Sequence, residues 1–130
     1  MYLIDTDILV FLKRGKYNIQ DRMAQLGLSQ CAISEISLAE LYVGVYKGDN
    51  RRLEPILKFL EETLTIVPIS ASIKTYARIR AHLESEGTVL DDMDLLIAAT
   101  ALANGYTLVT HNTKHFARVP GLKVVDWTLP

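Results

Sequence analysis

The chain has 130 residues, 49% hydrophobic and 22% charged, with a formal charge of −1. Such a length suits one domain over residues 1–130 and allows about two-thirds of the unfolded surface to be buried without disulfides or a structural metal, while the near-neutral charge gives no global basic field of the kind nonspecific duplex binders carry. The lone cysteine, Cys31, excludes an internal disulfide and fits a reducing compartment, and no run approaches the ~18 apolar residues of a membrane span.

Tyr2-Leu3-Ile4 is a short apolar run closed by Asp5, and predicts a first strand. It lacks the basic region and long apolar stretch of a signal peptide, so a cytoplasmic location is expected. Ile8 to Leu12 predicts a helix stopping near Gly15, and Ile19 to Leu26 a second helix ended by Gly27. Gln30 to Ile33 reads as a second strand, after which Ser34 is placed to cap a helix running through Tyr46. Leu53, Ile56, Leu57, Leu60 and Leu64 recur at helical spacing, with Lys58, Glu61 and Glu62 on the other side. Internal packing of that stripe is expected in preference to a subunit contact.

Thr65 to Ile69 is β-branched and predicts a third strand that Pro68 ends or confines to an edge. Ser70 or Ser72 is a candidate cap for a helix to about Glu86, stopped at Gly87. Asp91 or Asp92 begins another helix, closed by Asn104-Gly105. Thr107 to Thr110 and Leu122 to Trp127 are the fourth and fifth strands. Strands alternating with helices predict an α/β sandwich around a mostly parallel sheet, with ligand sites beyond the carboxyl ends of the strands.

Three acids stand where stability alone would not place them. Asp5 closes the first apolar strand, Glu40 is the only charge between Ile36 and Tyr46, and Asp94 is the only charge between Met93 and Thr110. Helices apolar on nearly every face are expected to be buried, and a buried carboxylate without a partner costs several kcal/mol. No Arg or Lys lies within these segments. A cation shared by the three acids would resolve the problem, and hard carboxylate oxygens suit Mg²⁺ or Mn²⁺. Such an ion can polarise a phosphodiester and lower the pKa of bound water. Asp7, Asp91 and Asp92 lie near helix starts, where acids are common; Asp92 is placed to support the metal shell through waters, and Asn112 follows the fourth strand closely enough to reach the site. Basic clusters stand at Lys13, Arg14 and Lys16, at Lys47, Arg51 and Arg52, and at Lys114, His115 and Arg118. Tyr17, Tyr42, Tyr46 and Phe116 are candidates for base stacking or for the core.

The motifs resemble those of a known family. Tyr2-Leu3-Ile4-Asp5-Thr6-Asp7-Ile8-Leu9 is similar to the opening of PIN-domain ribonucleases, in particular the VapC toxins of toxin–antitoxin pairs. Ile33 to Leu41 around Glu40, Asp94 to Ala101, and Leu108 to Asn112 with Lys114-His115-Phe116 and Val119-Pro120-Gly121-Leu122 resemble the later motifs, in order and over the whole chain. The resemblance implies a PIN-like α/β/α sandwich with about five strands. It implies Asp5, Glu40 and Asp94 as ligands of Mg²⁺ or Mn²⁺ and as the catalytic acids, and an endoribonuclease held silent by a VapB-like antitoxin that covers the acidic groove. A homodimer is implied too, as is a hydroxyl at Thr110 that hydrogen-bonds the first Asp. Asn112 stands where the superfamily often has an Asp, and Asp7 where it often has Asn or Ser. The first change removes charge from a second ion's site and the second adds it nearby.

One rival enzyme, one signalling domain and one non-catalytic reading compete with this. Asp5-Thr6-Asp7 superficially fits haloacid dehalogenase-like phosphatases, with Asp5 as nucleophile and Asp91-Asp92 as the later pair. A receiver-like domain would need an acid ending its middle strand, whereas Pro68-Ile69 stands there. A PIN fold kept only for binding RNA or protein would have no use for Asp5, Glu40 and Asp94.

Overall fold

The computed structural model describes residues 1–48 and 52–130, so Arg51 of the second basic cluster lies outside the described residues. The elements run in the order β1 (Tyr2–Ile4), α1 (Thr6–Lys13), α2 (Ile19–Leu26), β2 (Cys31–Ser34), α3 (Glu35–Lys47), α4 (Leu53–Thr63), β3 (Thr65–Val67), α5 (Ile73–Ser85), α6 (Asp92–Asn104), β4 (Thr107–Val109), α7 (Thr113–Phe116) and β5 (Val124–Val125). The caps follow side-chain chemistry. The Ser34 hydroxyl accepts from Ile36 N at 3.0 Å at the head of α3, and the Asp91 carboxylate accepts from Met93 N at the head of α6. Gly105 takes the left-handed conformation, φ +69°, that ends α6.

All strand pairs are parallel and the sheet order is β3-β2-β1-β4-β5, the α/β arrangement expected from the alternation of strands and helices. Each strand alternates its buried side chains between two layers. Ile4, Ile33 and Val109 face a cluster with Ile8, Leu41, Leu57 and Leu60 from the α1–α4 side. Leu3, Ala32 and Leu108 face Ile79, Leu83, Leu95, Ile97 and Phe116 from the α5–α7 side. The Leu53–Leu64 stripe packs internally as expected, with Leu53, Leu57, Leu60 and Leu64 buried.

Four expectations are corrected. The helix α3 is not buried all round: Val43 is 53% and Tyr46 78% exposed, while Ser37, Leu41 and Val45 are buried and Ile36, Leu38 and Tyr42 pack partly against the core. Neither candidate serine caps α5 through its side chain. Ser70 and Ser72 instead form a 3₁₀ turn, and the buried Ser72 hydroxyl has no hydrogen-bond partner among the described residues. The last strand shrinks to Val124–Val125, since only these residues continue the ladder beside Leu108 and Val109. The short helix α7, where no element was predicted, is one turn long, below the length at which helical periodicity shows. Among the described residues, no helix is long and apolar enough to cross a membrane.

Candidate active site

Because every strand runs the same way, all carboxyl ends meet at one edge of the sheet, and the register decides what meets there. Ile4 pairs with Val109, so Asp5 and Thr110, the next residues, are neighbours. Asp5 N continues the ladder to Val109 O at 2.9 Å. Val109 pairs with Val125, which brings Asp126 to the same level. The central strand β1 thus delivers Asp5 to the middle of the edge, and the starts of α1 and α6 add Asp7 and Asp94.

Asp5 is buried, 5% exposed, and caps α1. One oxygen accepts from Thr6 N at 2.8 Å and the other from the Thr110 hydroxyl at 2.8 Å. That hydroxyl lies farther, 3.4 Å, from Asp7 Oδ2, and accepts from Asn112 N at 3.1 Å, which ties the loop after β4 to the site. Asp7 Oδ2 also accepts from His111 N at 3.1 Å, while its Oδ1 is buried without a partner among the described residues. Glu40 is half-buried, and its Oε1 accepts from the Thr6 hydroxyl at 2.7 Å, beside Ser37 Oγ at 2.9 Å from the same hydroxyl. Asp94, with a side chain 33% exposed, lies 3.1 Å through Oδ2 from His115 Nε2.

The electrostatics follow from this crowding. Burial first, then the Asp7 charge, and to a smaller degree the Asp94 charge, push the Asp5 carboxyl up to about 7 against the lowering hydrogen bonds from Thr110 and Thr6. Burial raises Asp7 as well, although backbone N–H groups of His111 and Ile8 work to lower it. Beyond them, Asp126 is held below the usual carboxylate range: burial acts to raise it, but Thr128 and His111 donate to it and prevail.

Of the three acids singled out in the sequence Asp5 is buried, whereas Glu40 and Asp94 are half-buried. Their partners among the described residues are hydroxyls, backbone N–H groups and an imidazole, with no Arg or Lys. The structure places Asp92 away from them, its carboxylate taken by Tyr76 at 2.9 Å and Arg80 at 3.0 Å on the surface. Asn112 heads α7, with its backbone and not its side chain tied to Thr110. The Asp91–Asp92 pair opens a helix and ends no strand, which removes the phosphatase reading. Sequence reasoning missed Thr6, Ser37, His111, His115 and Asp126 as partners of the site. His115 stood inside a quoted motif, but nothing in its spacing pointed at Asp94.

The donor set fits a hard divalent cation. It consists of carboxylate oxygens, one of them orphaned and another attached to an acid whose ionisation burial opposes, and a cation would relieve both. Among the described residues, no three acids, histidines or cysteines close into a ready-made cage.

The family model described as PIN domain matches residues 2–122. Ribonuclease VapC1 of Rickettsia felis is 37% identical over 128 residues, covering 95% of this chain and 93% of the relative. A tRNA(fMet)-specific endonuclease VapC of Shigella flexneri is 31% identical over 131 residues, 98% of each. Among solved structures, VapBC2 from Rickettsia felis bound to a DNA fragment from its promoter matches with a TM-score of 0.88 at 32% identity, covering 97% of this chain and 98% of that one. VapBC from Salmonella typhimurium, bound to DNA, matches with a TM-score of 0.89 at 29% identity and 97% coverage of both. The chain belongs to the VapC ribonucleases of the PIN-domain family.

Proposed function

We propose that the chain is a Mg²⁺- or Mn²⁺-dependent endoribonuclease, acting as a single PIN-like domain over residues 1–130, and the toxin of a VapBC-type pair. The observation that supports this best is the buried Asp5 carboxylate at the carboxyl end of the central strand, held by Thr6 N and Thr110 with Asp7 sharing the same hydroxyl. A fold selected for stability alone has no reason to keep it. Asp5, Glu40 and Asp94 would hold the ion, which when bound supplies charge to a phosphodiester and a water of lowered pKa. Thr110 and Thr6 N orient Asp5 through separate oxygens, Thr6 aims Glu40, and the loop from Thr110 to Asn112 closes over Asp7. Asp7 adds negative charge that Asn112 does not.

A transfer RNA is the substrate class to try first, because relatives from Shigella flexneri and Salmonella typhimurium are named tRNA(fMet)-specific endonucleases. A VapB-like antitoxin and a homodimer complete the reading; the solved neighbours are VapBC complexes. Lys114 and Arg118, exposed on and just after the α7 turn that carries His115, suit an RNA backbone.

Incubating a tRNA pool with Mg²⁺ or Mn²⁺ tests the proposal. Cleavage is expected from the wild type and is expected to disappear in Asp94→Asn and with chelator. Cleavage unchanged by chelator would overturn the metal reading. A folded, antitoxin-free wild type that binds neither ion nor RNA would leave only the binding-module reading without its ligand.

A further inference from the structure

Each acid of the cluster has a donor from outside its own element fixed to one of its oxygens. For Asp5 it is Thr110, for Glu40 Thr6, and for Asp7 the backbone of His111. The donor to Asp94 is the imidazole of His115, 21 residues on in the chain, and it is the sole hydrogen-bond partner of that carboxylate among the described residues.

The imidazole is itself held in place. Its helix α7 is one turn long, yet Phe116 at its end is 1% exposed and sits in the core cluster with Leu95 and Val119. The His115 ring lies edge-on to the Phe116 ring, 5.4 Å between centroids and 86° between planes. The start of the turn is fixed as well, since Asn112 N donates to the Thr110 hydroxyl and His115 N donates to Asn112 O at 3.2 Å. Asp94, by contrast, projects from the first turn of α6, where exposed helix N–H groups attract a carboxylate back onto its own helix.

We propose that His115 is the positioning residue for Asp94: its Nε2–H holds Oδ2 and leaves Oδ1 for a divalent cation. The bond does not depend on the charge of the ring, because Nε2 carries a proton in the cation and in the neutral tautomer that donates here. Ligating carboxylates are commonly oriented by such outer hydrogen bonds, and losing one lowers metal affinity by about 10- to 100-fold. The proposal rests on the metal-nuclease reading above.

The test is Mn²⁺ binding by isothermal titration calorimetry on the full chain, with thermal melting to confirm folding. Wild type is compared with Asp94→Asn, His115→Ala and His115→Gln; a glutamine amide can replace the Nε2–H donor. Asp94→Asn is expected to lose measurable binding, His115→Ala to bind about 10-fold more weakly or worse, and His115→Gln to stay within about 3-fold of wild type. Wild-type affinity in His115→Ala overturns the positioning role and leaves the metal reading intact. Equal weakening in the Ala and Gln variants overturns the hydrogen bond as the cause. A wild type that binds no Mn²⁺, or an Asp94→Asn that binds it equally well, overturns the metal reading and this proposal with it.

Discussion

Asp5 is a residue whose charge the fold resists. Its neutral form is favoured by burial and by two neighbouring carboxylates, so the folded state holds a proton there that the unfolded chain has already released. Replacing it with asparagine removes that conflict while keeping one oxygen to accept from Thr6 N and an NH₂ that can donate to the Thr110 hydroxyl. Asp5→Asn is therefore expected to raise metal-free stability at pH 8 by about 2 kcal/mol and to abolish RNA cleavage. Urea melts at pH 8 check the first part; a loss of stability would show Asp5 to be a structural acid. The three acids were legible in the sequence because Glu40 and Asp94 are lone charges in apolar stretches and Asp5 closes an apolar strand, contrasts that survive without any structure. Thr6, His111 and His115 were not legible. A hydroxyl or imidazole becomes a partner only through the neighbour the fold supplies, and the Thr110–Asp5 bond joins residues 105 positions apart.

At the scale of elements, what the sequence displays is local chemistry. Ile19 to Leu26 is recovered to the residue, and Ser34 and Gly105 mark the head of α3 and the end of α6. The helix α3 misleads because its apolar content gives no direction: Leu41 and Val45 face the core while Val43 and Tyr46 do not. The helix α7 escapes because its placement rests on one buried ring, Phe116. The helix α4 offers a clean contrast between its two faces. Leu57 is fully buried, whereas Phe59, two residues on, is 55% exposed. Leu57→Ala is expected to destabilise by about 2–5 kcal/mol and Phe59→Ala by less than about 0.5 kcal/mol. Denaturant midpoints with unchanged slopes would confirm both; comparable losses would mean that the exposed face is also packed.

For the whole molecule, the acid cluster links stability to pH in a definite direction. The folded pKa of Asp5, about 7, exceeds its ordinary value of 3.8, so between those values the folded state binds more protons than the unfolded one. Stability then falls as pH rises across that window. Asp7, also raised, acts in the same sense. Asp126 is lowered, and its contribution is lost only as pH falls through its own folded value, below the window. Metal-free protein is expected to melt several degrees lower at pH 8 than at pH 5.5, with about 3–5 °C for each kcal/mol at this chain length. Added Mn²⁺ should narrow the gap by raising the melting temperature mainly at pH 8. Scanning calorimetry at both pH values decides it, and a gap that Mn²⁺ leaves unchanged would separate the pH effect from the acid cluster.

The register that sets Asp5 beside Thr110 also has a consequence during protein synthesis. Asp5, Glu40 and Asp94 are made well before the strand that completes their surroundings, and β1 has no neighbour on its β4 side until residues 107–109 emerge. A growing chain therefore carries all three acids without a site, and a product truncated short of Thr110 retains them without a nuclease. The surroundings of Asp5 are thus finished only by the last quarter of the chain, where β4 supplies the neighbouring strand and Thr110 the hydroxyl.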